Sequence, residues 1–165
     1  MIALWRLCNG KDFWDHSGVG GRWHPAEQAV LVLEASSVAA VCAALACAEV
    51  GHPRELPVTY HLYQVWIPKR SIVLADVPRR WQKNHRATRA VGQAWLDKEE
   101  SLALCVPSMS GGRQYLLNTR HADVRVCRVD GRWPHPFEPA VVQVAPMLRR
   151  DAEWLALFAP FDVSD

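Results

Sequence analysis

The unbroken apolar run Ala29-Val30-Leu31-Val32-Leu33 constrains the fold more than any other stretch of the chain. A strand shows alternation where one of its faces meets water, so five apolar residues in succession call for a strand covered on both faces. The chain must therefore place packed layers on both sides of a sheet. Its 165 residues, 50% of them hydrophobic, suffice for one such core and give no reason for a division into two domains.

The residues that follow extend the argument. Ser36 and Ser37 are natural N-caps for an Ala-rich helix reaching to about Val50, where Gly51-His52-Pro53 stops it. Being nearly all apolar, that helix is expected to be central. Further strands are expected at residues 2–8, ended by Asn9-Gly10, at 59–67, closed by Pro68, and at 71–75, 101–106 and 115–117. Another is expected at 124–129, before a turn at Asp130-Gly131. Trp81, Thr88, Val91, Trp95 and Leu96 recur at helical steps and predict a helix over 87–96. Arg79, Arg80, Lys83, Arg86 and Arg89 make a basic face there, for which solvation is the simplest use. A short amphipathic helix is expected over 147–158. The sum is an α+β fold, a single compact domain of mixed short strands and helices.

Charge and cysteine usage exclude several classes. Net charge is +2 and the pI about 8.4, a mild excess with no long Lys/Arg run, so direct nucleic-acid binding has no strong electrostatic support. The five cysteines form no C-x-x-C pair and read as small, mostly buried thiols of a reducing compartment. The first residues lack a signal-peptide pattern, and the apolar stretch near 38–48 is too short to span a bilayer. A soluble cytoplasmic protein is the expectation. The seven histidines show no H-x-x-x-H or H-E-x-x-H pairing, and no metal site is expected.

Chemistry concentrates in Gly18-Val19-Gly20-Gly21-Arg22-Trp23-His24-Pro25. Its glycines let a ligand approach the main chain, Arg22 offers a two-pronged grip on phosphate oxygens, and Trp23 offers a flat face and one N–H donor. The same residues also suit a plain turn whose Trp belongs to the core. His24 reads as a surface loop residue. Ser108, after Pro107 at a strand end, has no G-x-S-x-G context and suits binding or a turn rather than nucleophilic attack.

Several landmarks appear in order: Leu4-Trp5-Arg6, Gly20-Gly21-Arg22-Trp23, Val91-Gly92-Gln93-Ala94-Trp95-Leu96, Val106-Pro107-Ser108, and Gln114-Tyr115-Leu116-Leu117-Asn118 with His121. With this set the chain resembles the RES-domain family, typically toxins of bacterial Xre–RES toxin–antitoxin pairs. The resemblance implies a RES domain over residues 1–139 with an ADP-ribosyltransferase-like fold. It leaves 140–165 as a C-terminal extension packing on the same domain, or else forming a homodimer contact. It further implies that NAD is bound as substrate and cleaved at the nicotinamide–ribose bond, and that an Xre-type antitoxin covers the cleft. Carried onto this sequence, Arg6 and Arg22 clamp the diphosphate, Ser108 bonds a ribose hydroxyl and Trp23 walls the pocket.

Two positions depart from the family pattern. The tyrosine expected about ten residues after Arg22 is replaced by Val32 or its neighbour Leu33, and the glutamate early in the following helix by Ala43. Either Glu34 or Glu49 takes over as the carboxylate, Glu34 being placed to face the cleft, or the protein is a degenerate nucleotide-binding module, or it acts through partners alone. Glycohydrolase and protein ADP-ribosyltransferase are not separated by the sequence.

Overall fold

Ser36 caps the first helix as its residue type predicts, its Oγ accepting from Ala39 N at 3.1 Å, and that helix, α1 (Ser37–Ala48), packs on a seven-stranded sheet. This computed structural model describes residues 1–10, 12–15 and 18–138. The expected extension at 140–165 and its helix at 147–158 lie outside the described residues. The strands are β1 (Ile2–Asn9), β2 (Val30–Glu34), β3 (Tyr60–Ile67), β4 (Ile72–Leu74), β5 (Ala103–Pro107), β6 (Arg113–Asn118) and β7 (Arg128–Pro134). Their order is β4-β5-β6-β2-β1-β3-β7, antiparallel throughout except for the parallel pair β4–β5. The second helix, α2 (His85–Lys98), begins two residues before its expected start because Asn84 accepts from Ala87 N at 3.0 Å.

Both faces of the sheet are covered, as the run at 29–33 requires. One face carries Leu4, Leu31, Leu33, Tyr63, Val65, Ile67, Cys105 and Leu117, beneath Phe13, Trp14 and Val124. The other carries two clusters side by side. In the first, Ala40, Val41 and Leu45 of α1 pack over Leu62, Trp5 and Leu7. In the second, Trp23 and Trp95 of α2 pack over Val30, Leu104, Val106 and Leu116. Burying a Leu or Val side chain stabilises by about 1.5–3 kcal/mol, so the middle strands carry much of the stability.

Three expectations are corrected. Helix α1 is not central: it lies on one face, with Ala46, Cys47 and Ala48 exposed, because its small side chains bury only one stripe. Residues Ala122–Val126 form a 3-10 turn rather than the start of a strand, since His121 Nδ1 accepts from Asp123 N at 3.1 Å and caps it. Asp130-Gly131 lies inside β7 and not in a turn; a register shift opposite Gln64 and Val65 absorbs the extra residue as a bulge.

Candidate active site

The loop bearing Arg22 is folded on itself and then fixed to its surroundings. Gly21 N donates to His24 O at 2.9 Å and Glu27 N to Gly18 O at 2.8 Å, the latter closing a loop in which Gly18 takes a φ of 67°. Trp23 is 2% exposed, and its Nε1 donates to Pro107 O at 3.2 Å. The indole is thus buried in the core and ties the arginine loop to the end of β5. Ser108 follows Pro107 directly and is buried, its Oγ 2.9 Å from Ser110 Oγ and accepting from Ser110 N at 3.3 Å.

Arg22 reaches toward the 3-10 turn Trp81–Lys83. Its Nη1 donates to Gln82 O at 2.9 Å and to Trp81 O at 3.2 Å, and its guanidinium carbon stands 5.8 Å from the centre of the Trp81 ring. Among the described residues no carboxylate pairs with Arg22, the ion pair there being Arg128–Asp130. Among these residues its partners are main-chain carbonyls and an aromatic ring rather than a carboxylate. Arg79, Arg80, Lys83, Arg86 and Arg89 are all exposed; Arg80 and Lys83 flank the two carbonyls that Arg22 meets, and Arg89 Nε donates to the carbonyl of the preceding Gly21.

Glu34 ends β2 on the helix-bearing face. In the strand register Trp5 stands opposite Glu34, Glu34 opposite Gln114, and Gln114 opposite Val106. Directly paired residues share a face, so these four form one row across the sheet. Trp5 belongs to the α1 cluster and Val106 to the Trp23 cluster, which makes Glu34 and Gln114 a polar seam between two apolar bodies. Gln114 Nε2 donates to Glu34 Oε1 at 2.7 Å. Burial pushes the Glu34 carboxyl up to about 7, against the opposing pull of the Gln114 hydrogen bond. A carboxyl 5% exposed and titrating near neutrality is a candidate acid or base.

The strands β2 and β5 are each antiparallel to β6 and hence parallel to one another, so Glu34 and Ser108 stand at the same end of the sheet. Trp23 and Glu34 both lie on the helix-bearing face, Arg22 directly precedes Trp23, and Ser108 stands at the Glu34 end of the sheet. Arg6 does not join them. It lies on the opposite face, paired with Tyr63, where its guanidinium donates to Phe13 O and Asp15 O and stands 5.8 Å from the Phe13 ring centre. There it ties the segment 12–15 to the sheet.

The other positions weighed from the sequence separate in the same way. Val32 lies on the helix-bearing face, two residues before Glu34, whereas Leu33 is fully buried on the Arg6 face. Ala43 is half-buried on α1. Glu49 is the exposed C-cap of α1, in the left-handed region at φ 56°, and stands outside the seam. His24 is not a surface residue: it is 5% exposed, and its buried Nδ1 has no hydrogen-bond partner among the described residues. Sequence reasoning gave no role to Gln114 or Thr88. The signal for Thr88 was its place in the helical recurrence; Gln114 stood in the landmark Gln114-Tyr115-Leu116-Leu117-Asn118, and only the strand register ties it to Glu34.

The RES domain family model matches residues 3–138. A protein of Pseudomonas putida named Toxin Res is 30% identical over 135 residues, covering 78% of this chain and 92% of the relative. A Toxin Res of Yersinia enterocolitica is 30% identical over 116 residues, covering 66% of this chain and 74% of that one. In three dimensions the chain is similar to the MbcT toxin in the crystal structure of the M. tuberculosis MbcT–MbcA toxin–antitoxin complex. The TM-score is 0.64 at 15% identity, with 81% of this chain and 83% of that one covered, a likeness of fold.

Proposed function

This chain belongs to the RES-domain family, and on that premise we propose that it is the toxin of a toxin–antitoxin pair and that it cleaves NAD between nicotinamide and ribose. The observation that carries this reading is the buried Glu34 carboxyl in the seam between two apolar clusters, on the side of the molecule that also holds Arg22 and Ser108.

The chemistry asks for three things, and the residues offer them. The glycosidic bond breaks with its electron pair passing to the pyridinium nitrogen, which leaves neutral nicotinamide and a cationic, oxocarbenium-like ribose. Ionised Glu34 stabilises that cation and takes a proton from the water whose oxygen bonds to the ribose carbon. The products are nicotinamide, ADP-ribose and a proton. Arg22 meets the diphosphate with a guanidinium that no carboxylate pairs among the described residues, and the Ser108 hydroxyl bonds a ribose hydroxyl. In this reading Glu34 stands in for the carboxylate absent at Ala43. A site that consumes NAD requires a cover, and the partner is an antitoxin of the Xre type seated over this side of the molecule; what the MbcT–MbcA assembly of a protein with the same fold supports is an antitoxin partner.

The test is release of nicotinamide from NAD by the purified full chain, resolved by chromatography. Arg22→Ala and Glu34→Gln should each slow release on the order of a hundredfold or more. An unchanged rate in Glu34→Gln removes that carboxyl from the reaction. Calorimetric NAD binding with no product from the unaltered protein assigns the chain instead to non-catalytic nucleotide binding.

A further inference from the structure

Three consecutive main-chain carbonyls of the arginine loop meet one face of α2. Arg89 Nε donates to Gly21 O at 3.0 Å, and Thr88 Oγ1 donates to Arg22 O at 2.7 Å. Trp23 O lies so close to Gly92 that a Cβ there would stand 1.6 Å from it. Thr88 and Gly92 are four residues apart and so lie one above the other on the helix.

The contact at Thr88 is directed. A threonine inside a helix ordinarily turns its hydroxyl back on the preceding turn. Thr88 Oγ1 is indeed 3.0 Å from His85 O and 3.2 Å from Asn84 O, but its shortest contact is Arg22 O and it has one proton to give. The residue is fully buried, so no water replaces that donor. Next to it, glycines at 20 and 21 leave the loop little stiffness of its own.

We infer that Thr88, Arg89 and Gly92 are positioning residues: they hold the main chain of Gly21, Arg22 and Trp23 against α2 and thereby aim the Arg22 guanidinium. The catalytic consequence rests on the NAD-cleaving reading; the structural one does not. A guanidinium aimed beforehand loses less freedom when it meets an anion, and a loop released from the helix forfeits that advantage.

Thr88→Val keeps the shape and deletes the donor, and Thr88→Ser restores it. In the NAD assay Thr88→Val should lower kcat/KM about fivefold to tenfold, the size expected for one lost buried hydrogen bond, and Thr88→Ser should recover most of the loss. Amide hydrogen exchange should quicken at residues 20–24 in Thr88→Val, while amides at 91–98 keep their unaltered rates. Unchanged exchange in the loop, or an activity loss that serine fails to repair, overturns the inference. If the unaltered protein releases no nicotinamide, the NAD reading fails and the exchange measurement still decides the positioning role. Should Thr88→Val not fold, Arg89→Gln at an exposed position removes the bond to Gly21 O alone and is judged by the same exchange at 20–24.

Discussion

Gln114 donates to Glu34 across the β2–β6 pair at 2.7 Å, and this bond opposes the burial that raises the carboxyl to about 7. If ionised Glu34 is the form that stabilises the ribosyl cation, nicotinamide release rises as pH passes upward through about 7 and then levels. Gln114→Leu takes away the donor that favours the charged form, so its profile moves to higher pH. Rates of NAD cleavage from about pH 5 to 9 measure both. A rate independent of pH across that span contradicts the assignment of Glu34.

The same carboxyl ties stability to pH. Its value in the folded protein, about 7, lies above the ordinary 4.5, so the folded state holds this proton longer than the unfolded chain does. Below the ordinary value both states are protonated and nothing is lost; between the two values stability falls as pH rises, and above the upper one the whole cost is present. A displacement of this size corresponds to roughly 3 kcal/mol. Glu34→Gln carries no such charge and should be more stable than the unaltered protein near pH 8, with the advantage shrinking near pH 5. Urea midpoints at the two pH values give the comparison, and equal differences at both would contradict it.

Trp23 joins the arginine loop to β5 through a single donor, its Nε1 on Pro107 O. Trp23→Phe keeps an aromatic ring but leaves that carbonyl unpaired and part of the indole volume empty. The two effects together should lower stability by about 2–4 kcal/mol. Urea unfolding measures the loss, and a change below about 0.5 kcal/mol would show that the tie is idle.

What could be read from the chain was what depends on neighbours in sequence. The apolar run at 29–33 yields β2, and Ser36 yields the start of α1, because a buried strand and a helix cap are both set by a few adjacent residues. Arg6 and Glu34 were legible as candidates but not as occupants of opposite faces. That separation follows from Trp5 standing opposite Glu34, and a slip of one residue would have put Arg6 on the helix-bearing side. Gln114 met its partner only through a pairing 80 residues apart in sequence. The 3-10 turn at Ala122–Val126 hid behind alternating valines, since its cap is the His121 ring and not a serine or aspartate.

His24 presents the opposite sign of pH dependence to Glu34. Burial lowers its pKa; a hydrogen bond to the Val19 backbone opposes that shift and the nearby Arg89 charge adds to it. The unfolded chain therefore takes up a proton near 6.5 while the folded protein resists, and stability is lost as pH falls below that value. Over part of the same range Glu34 gains stability on acidification, so the two contributions mask one another in the unaltered protein. In a Glu34→Gln background the histidine effect stands alone, and urea midpoints should fall as pH drops from about 7 to 5. Adding His24→Leu should flatten that fall, because the group that must stay neutral is gone. A slope unchanged by His24→Leu would place the acid sensitivity elsewhere in the chain.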